Sequence, residues 1–457
     1  NAMNCAQTEA VAAYCAQARH NDLPEAVARK TALHLLDTVA AIVSGGALPA
    51  GQAGKALARR LGGSEESLVL GSGLMVAAPH AALANAMAAH ADETDDSHVG
   101  GRFHPGCAVV PAALAMAEAF DRSGMELLRA IAVGYDIGAR AVMALGLDPN
   151  VKPRHSTHSI AANFGATAAA ASLAGLDARQ TAWALSYAVQ QASGVPYWQR
   201  DRDHVEKAFD FGGMAARNGV YAALVVDCGW SGVEGVLSGP DSYLSAFSDA
   251  PVPEALSEGL GERFEIMEAA IKKWCVGSPI QAALDSLVAL MAEHGVTEPD
   301  VERIIATMPD DRLHIVNNRD MPDVCLQHLL AVTLLDGDLT FAAAHDRLRM
   351  DDPAVRALRE RIVAEPSPEL TAARPPRQAI VTIETRDGRR LSHHTRAVLG
   401  TPANPMPADQ VAHKARDLIT LAQGGSKADR LISALLNIGS LPKVRDLRTL
   451  LAADQGI

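Results

Sequence analysis

Three polar clusters in this chain carry residue types suited to acid–base or anion chemistry. The densest is His90-Ala-Asp92-Glu93-Thr94-Asp95-Asp96-Ser97-His98, followed by Arg102-Phe103-His104-Pro105-Gly106. Four carboxylates in so short a run repel one another, so a purely structural loop gains little from them unless cations or N–H donors stand close. Two readings compete: Asp96 or Ser97 capping a helix while the others are solvated, or a divalent-metal site made from His and Asp. The second cluster, Lys152-Pro153-Arg154-His155-Ser156-Thr157-His158, runs into an Ala-rich segment. Ser or Thr there can cap a helix, whose free N–H groups and positive dipole end favour an anion. His155 and His158 add donors or a base. The third is cationic: Lys207 opens an otherwise apolar segment, and Lys272-Lys273-Trp274-Cys275 sits where the composition changes.

The elements that must position these groups are mostly helical. Apolar residues recur at helical spacing after Leu23-Pro24-Glu25 (Ala32, Leu35, Val39, Ile42) until Gly45-Gly46 stops them. Segments 78–91, 106–122, 125–145, 159–173, 177–191 and 207–228 follow in the same style. Several are apolar almost all round, which predicts burial by other helices. After about Phe264 the character changes. Val301 to Met308 reads as a strand, and Gln378 to Thr385 meets Arg389 to His394 across Asp387-Gly388, a two-residue hairpin signal. Helices are expected over 278–294, 324–335 and 341–349, and again over 409–421 and 427–435. The expected fold is mainly α: a large all-helical domain with an inserted smaller α/β lid domain. The expected division is 3–265 helical, 266–398 α/β, and 399–457 returning to the helical domain.

Composition narrows the partners. With 457 residues, 41 Lys plus Arg against 53 Asp plus Glu and a net charge of -12, nothing attracts a phosphate backbone, and nucleic acid is not an expected partner. The richest apolar runs are Ala-diluted or broken by Asn163, Asp227 and Gly, so no membrane span is expected. Asn1-Ala2-Met3 reads as a tag remnant before a native Met, and no charged segment leads into an apolar signal core, which points to a cytoplasmic protein. The six cysteines contain no C-x-x-C pair, so no zinc ribbon or clustered iron–sulfur motif is read.

Taken in order, these residues resemble the MmgE/PrpD family over nearly the whole chain. The resemblance rests on His34-Leu-Leu-Asp37, the run ending Asp95-Asp96-Ser97-His98, His104-Pro105-Gly106, Phe164-Gly165 with its Ala-rich helix, Lys207, Gly229-Trp230-Ser231-Gly232, Lys272 and Leu335-Asp336-Gly337. It implies a homodimer with an all-helical domain and a lid, acting on small polycarboxylates without metal or organic cofactor. Departures stand beside it: Glu93 where the family's acidic run begins with Asp, Gln281 after the junction lysine, and His328 where the lid has Tyr. The family's histidine before the Ala-rich helix matches His155, with His158 one gap away.

The function that follows is a cofactor-independent lyase, with a hydro-lyase first, acting on a small hydroxy-polycarboxylate by α-proton abstraction at an interdomain cleft. Alternatives are an epimerase or racemase of a dicarboxylate, a decarboxylase of a cis-aconitate-like acid, and a non-catalytic polycarboxylate binder. The expected catalytic residues are His104, His155, Glu93 and Asp95. The expected substrate-binding residues are Lys207, Lys272, Ser97, Arg154, His158 and His328, with no metal ligand.

Overall fold

The computed structural model describes residues 6–453. It divides into two compact units, one of Asn1–Ala269 with Val411–Ile457 and the other of Ala270–Gln410. Composition had placed these divisions near 265 and 398. Asn1-Ala2-Met3 and Cys5 lie outside the described residues.

The larger unit is helical throughout its core. Its principal helices are Glu25–Gly45, Pro49–Leu61, Ala78–Ala89, Gly106–Ala119, Gly124–Met143, Thr157–Ala174 and Ala178–Gln191. Thr157–Ala174 is buried on almost every face, as its Ala-rich sequence predicts: small side chains let neighbouring helices approach closely. One close approach is at Gly134 and Gly165, where a Cβ on either would lie within 3 Å of the other's carbonyl oxygen. The two helices can cross there only because neither residue carries a side chain.

Lys207 was expected on an uninterrupted helix over 207–228. Instead Glu206–Ala208 passes through a π-helical turn, Phe209–Gly213, before Met214–Asp227. A π turn inserts one extra residue into the ladder and rotates the side chains before it relative to those after. Lys207 and Phe211 owe their directions to that insertion.

The C-terminal helices Ala408–Gln423 and Gly425–Leu436 return to this unit. Lys414 pairs with Asp37 at 2.7 Å, both side chains buried, and Arg448 reaches Glu118 at 2.7 Å. No single helix among the described residues is long and apolar enough to cross a membrane; one bent pair, Glu25–Gly45 with Pro49–Leu61, passes by composition. That pair turns through 85°, and its first member carries buried His34 and Asp37 in ion pairs with Asp96 and Lys414, so it is a core element.

The smaller unit holds a four-stranded sheet with Ile362–Ser367 at one edge, then Val301–Pro309, Ala379–Thr385 and Arg390–Thr395. The last two pair antiparallel as the Asp387-Gly388 turn predicts, with Gly388 at φ +87. Ile362–Ser367, parallel to Val301–Pro309, was not expected: Pro366 breaks the strand signal, and an edge strand tolerates it. Helices Gln281–His294 and Leu326–Asp336 contribute Leu284, Leu287, Leu326, Leu329 and Leu330 to the core beside the sheet's Ile304, Val381 and Ile383.

Candidate active site

The acidic run is a set of individually satisfied carboxylates. Asp92 Oδ1 accepts from the Thr94 backbone N–H at 2.9 Å, closing a turn. Glu93 accepts a charged hydrogen bond from Lys207 Nζ, with both side chains largely buried. Asp95 Oδ2 lies 2.8 Å from His90 Nδ1 and 3.6 Å from His104 Nδ1, standing between the two rings. Asp96 accepts from the Gly106 N–H at 2.8 Å and the Tyr135 hydroxyl at 2.5 Å, with His34 Nδ1 at 2.6 Å. Burial opposes the charge on Asp96, but His34, Tyr135 and the Gly106 N–H together hold its carboxyl below the ordinary value. The repulsion read in the sequence is therefore relieved one donor at a time. Lys414 completes the loop by donating to the Thr94 carbonyl at 2.9 Å.

The same contacts fix His104. The helix Gly106–Ala119 begins two residues later, and a Cβ on Gly106 would meet Thr38 Oγ1 at 2.3 Å and Asp96 Oδ1 at 2.8 Å, so only glycine lets the turn close onto Asp96. Cys107 Sγ donates to the carbonyls of His104 at 3.1 Å and Phe211 at 3.4 Å. Thr157 Oγ1 donates to the Arg102 carbonyl at 2.9 Å, bringing the start of the Ala-rich helix beside the His104 turn.

That helix decides between the two histidines of the second cluster. Ser156 is its N-cap and Thr157 its first residue, so His155 precedes the cap while His158 lies in the first turn. His158 stacks on Phe211 with centroids 3.8 Å apart and its ring is 5.6 Å from that of His104. His155 is exposed and meets Phe247 edge-on at 4.8 Å. Arg154 is also exposed, 3.9 Å from Asp249. Both line a separate cleft of about 310 Å³ with Lys152 and Asp148. The structure thus brings His158 to His104 and sets His155 and Arg154 apart from them: His158 is carried by the first turn of the helix, whereas His155, three residues earlier, precedes the N-cap and follows a different backbone path.

Phe211, 2% exposed, is the hub. His90, His104 and His158 have ring centroids within 5.4 Å of it, and Trp198 is at 5.6 Å. Lys207 Nζ lies 5.1 Å from the Trp198 ring centre and 5.2 Å from that of Phe211, so its charge faces π-electron density as well as Glu93. A fourth histidine, His204, has its centroid 5.1 Å from that of His90. Asp210, next to Phe211, accepts from Ser156 Oγ at 2.7 Å; burial, partly offset by Ser156 and Ser159, pushes its carboxyl up to about 6.

Of the other expected residues, Ser97 is half-buried on a short strand, Ser97–His98. Lys272 is 5% exposed and belongs to the smaller unit. His328, expected to touch substrate, is 0% exposed on the core helix Leu326–Asp336, and neither ring nitrogen has a hydrogen-bond partner. Burial, with Arg359 and Arg349, pushes its pKa down to about 4. It is a core side chain: the helix that carries it is buried on nearly all faces. His90, His204 and Phe211 were not singled out as site residues. His90 was visible as part of the acidic run, but nothing local links Phe211 to it across more than a hundred residues.

One set among the described residues has a metal-like geometry: His90, Asp95 and Cys107 each place a ligand atom within 4.8 Å of the others. Its chemistry fits poorly. Asp95 is the partner of His90, and Cys107 donates to two carbonyls. Burial and the nearby Asp95 and Asp96 push the Cys107 thiol well above its ordinary value, which keeps the proton on sulfur.

In this mainly helical chain the acidic loop, three histidines and Lys207 converge on the buried ring of Phe211. Both halves match one family: the MmgE/PrpD N-terminal domain over residues 9–256 and the MmgE/PrpD C-terminal domain over 274–438. The chain belongs to the MmgE/PrpD family. It is 24% identical to cis-aconitate decarboxylase of Homo sapiens over 81% of this chain and 79% of that protein. Identity to the Aspergillus terreus cis-aconitate decarboxylase is 25%, over 84% and 83%. A shorter stretch, 24% of this chain and 25% of the other, is 34% identical to 2-methylcitrate dehydratase of Salmonella typhimurium.

Proposed function

We propose that this chain is a lyase of small polycarboxylates in which His104 and His158 handle the proton and Lys207 holds a substrate carboxylate. The observation that carries the reading is the pair of imidazoles 5.6 Å apart beside Phe211, with Lys207 Nζ 5.2 Å from the centre of the same ring. A proton-transfer group and a carboxylate anchor so close together are what carbanion chemistry beside a carboxylate requires. Asp95, within 3.6 Å of His104 Nδ1, favours the tautomer that leaves Nε2 for the substrate. His158 takes the role that the sequence had assigned to His155.

Of the bonds such a site can break, decarboxylation is favoured by the relatives that match over four-fifths of the chain. The C–CO₂ bond breaks, its electron pair passes into the conjugated carboxyl-bearing system, and an imidazolium returns a proton to carbon. Dehydration is the second reading, favoured by the segment 34% identical to a dehydratase. One imidazole then removes the α-proton and the other protonates the departing hydroxyl. Glu93 yields Lys207 to the substrate in either case.

The test is NMR of cis-aconitate and 2-methylcitrate incubated with the protein in D₂O, alongside other di- and tricarboxylates. Loss of CO₂ with deuterium entering the product supports decarboxylation, and loss of water supports dehydration. No turnover and no exchange into any of these acids overturns the reading.

A further inference from the structure

The mechanism leaves His90 and His204 idle, and three observations mark His204. It stands at φ +57, a left-handed conformation that costs a non-glycine residue about 1 kcal/mol or more and is kept where a site holds it in place. Its Nε2 is buried without a hydrogen-bond partner. Its ring lies 5.1 Å from His90, within the field of Lys207, Glu93 and Asp92. A strained backbone holding a buried, unpartnered ring nitrogen close to the Lys207–Glu93 pair has no folding benefit of its own.

We propose that His204 is a substrate-binding residue whose imidazole donates a hydrogen bond from Nε2 to a substrate carboxylate held at Lys207. This rests on the functional reading above and adds to it a second, uncharged donor. Burial, with Lys207 and His90 nearby, pushes the His204 pKa down to about 3, so the ring stays neutral and does not repel the lysine it works beside. The ligand class is a carboxylate with room for two donors, one cationic and one neutral, which also discriminates against a monoanion too small to span both.

The variant that separates binding from structure is His204→Gly. Glycine adopts φ +57 without strain, so a histidine kept only for backbone geometry is replaced at little cost, while one kept for packing shows its loss in Tm and not in ligand affinity. On the proposal, His204→Gly keeps its Tm but binds tricarballylate, a tricarboxylate probe, about tenfold more weakly by calorimetry, with kcat/KM on the substrate found by NMR lowered to match. Added imidazole restores part of both. His204→Gly with wild-type tricarballylate affinity and kcat/KM overturns this inference alone. Wild-type protein that binds neither tricarballylate nor any other polycarboxylate overturns the functional reading and the inference with it.

Discussion

Two buried histidine environments in this chain differ in what surrounds the imidazole. Around Phe211 the rings of His90, His104 and His158 lie among carboxylates, a lysine and one another, and the His104 side chain keeps 12% of its surface open. In the smaller unit His328 is fully covered, with no hydrogen-bond partner at either nitrogen. Burial alone drives an imidazole toward neutrality, as at His328; it does not give the ring a proton to exchange or a place to deliver it. A nearby carboxylate that selects a tautomer, and an opening for a ligand, turn a buried histidine into a candidate acid–base. The comparison separates two residues that look equally suggestive in sequence.

The strongest way to break it is at the His104–His158 pair. His104→Gln is expected to lower kcat by roughly a thousandfold and to abolish deuterium exchange at the substrate carbon, the scale of a lost general acid–base. Wild-type exchange in that variant would place the base elsewhere in the cluster. Lys207→Met is expected to cost about 2 to 4 kcal/mol in kcat/KM, because it removes a buried charge from a carboxylate. Unchanged steady-state kinetics would make the Lys207–Glu93 pair purely structural.

A smaller effect is expected at Asp210, read in stability. Its folded-state pKa near 6 lies above the ordinary 3.8. Below that ordinary value both states are protonated and folding carries no penalty. As pH rises from about 4 to 6 the folded state holds its proton more tightly than the unfolded one, so stability falls and stays lowered above 6. Asp210→Asn keeps an acceptor for Ser156 and is expected to be more stable than the wild type by about 2 kcal/mol at pH 7, the difference vanishing near pH 4. Parallel Tm curves for the two proteins across that range would refute it. The smallest effect is at His328. His328→Leu removes unsatisfied buried polar atoms and is expected to gain about 1 kcal/mol in chemical denaturation with activity unchanged. A loss of activity would return His328 to the substrate, where the sequence had placed it.

Much of the fold was legible because its signals are local. Helical periodicity, the Gly45-Gly46 stop and the Asp387-Gly388 turn depend on neighbours in sequence, and the elements they predict are present within a few residues. Pro366 hid an edge strand, and the π-helical turn at Phe209–Gly213 left no mark in an apolar run. A π turn keeps the composition of a helix and changes only which side chains line up.

For the site, sequence alone determined the ingredients: a run of Asp and Glu with His104 after it, two histidines before an Ala-rich helix, and Lys207 on an apolar segment. It also determined the family resemblance, which is carried by the order of those motifs. Tertiary structure decided which ingredients meet. The point at which the Ala-rich helix starts chose His158 over His155, the covered helix Leu326–Asp336 took His328 into the core, and Phe211 became the shared surface for rings from three segments. The physical reason is that a side chain's neighbours within a turn follow from spacing, whereas its neighbours a hundred residues away depend on how helices cross, and that is set by packing of many small residues at once.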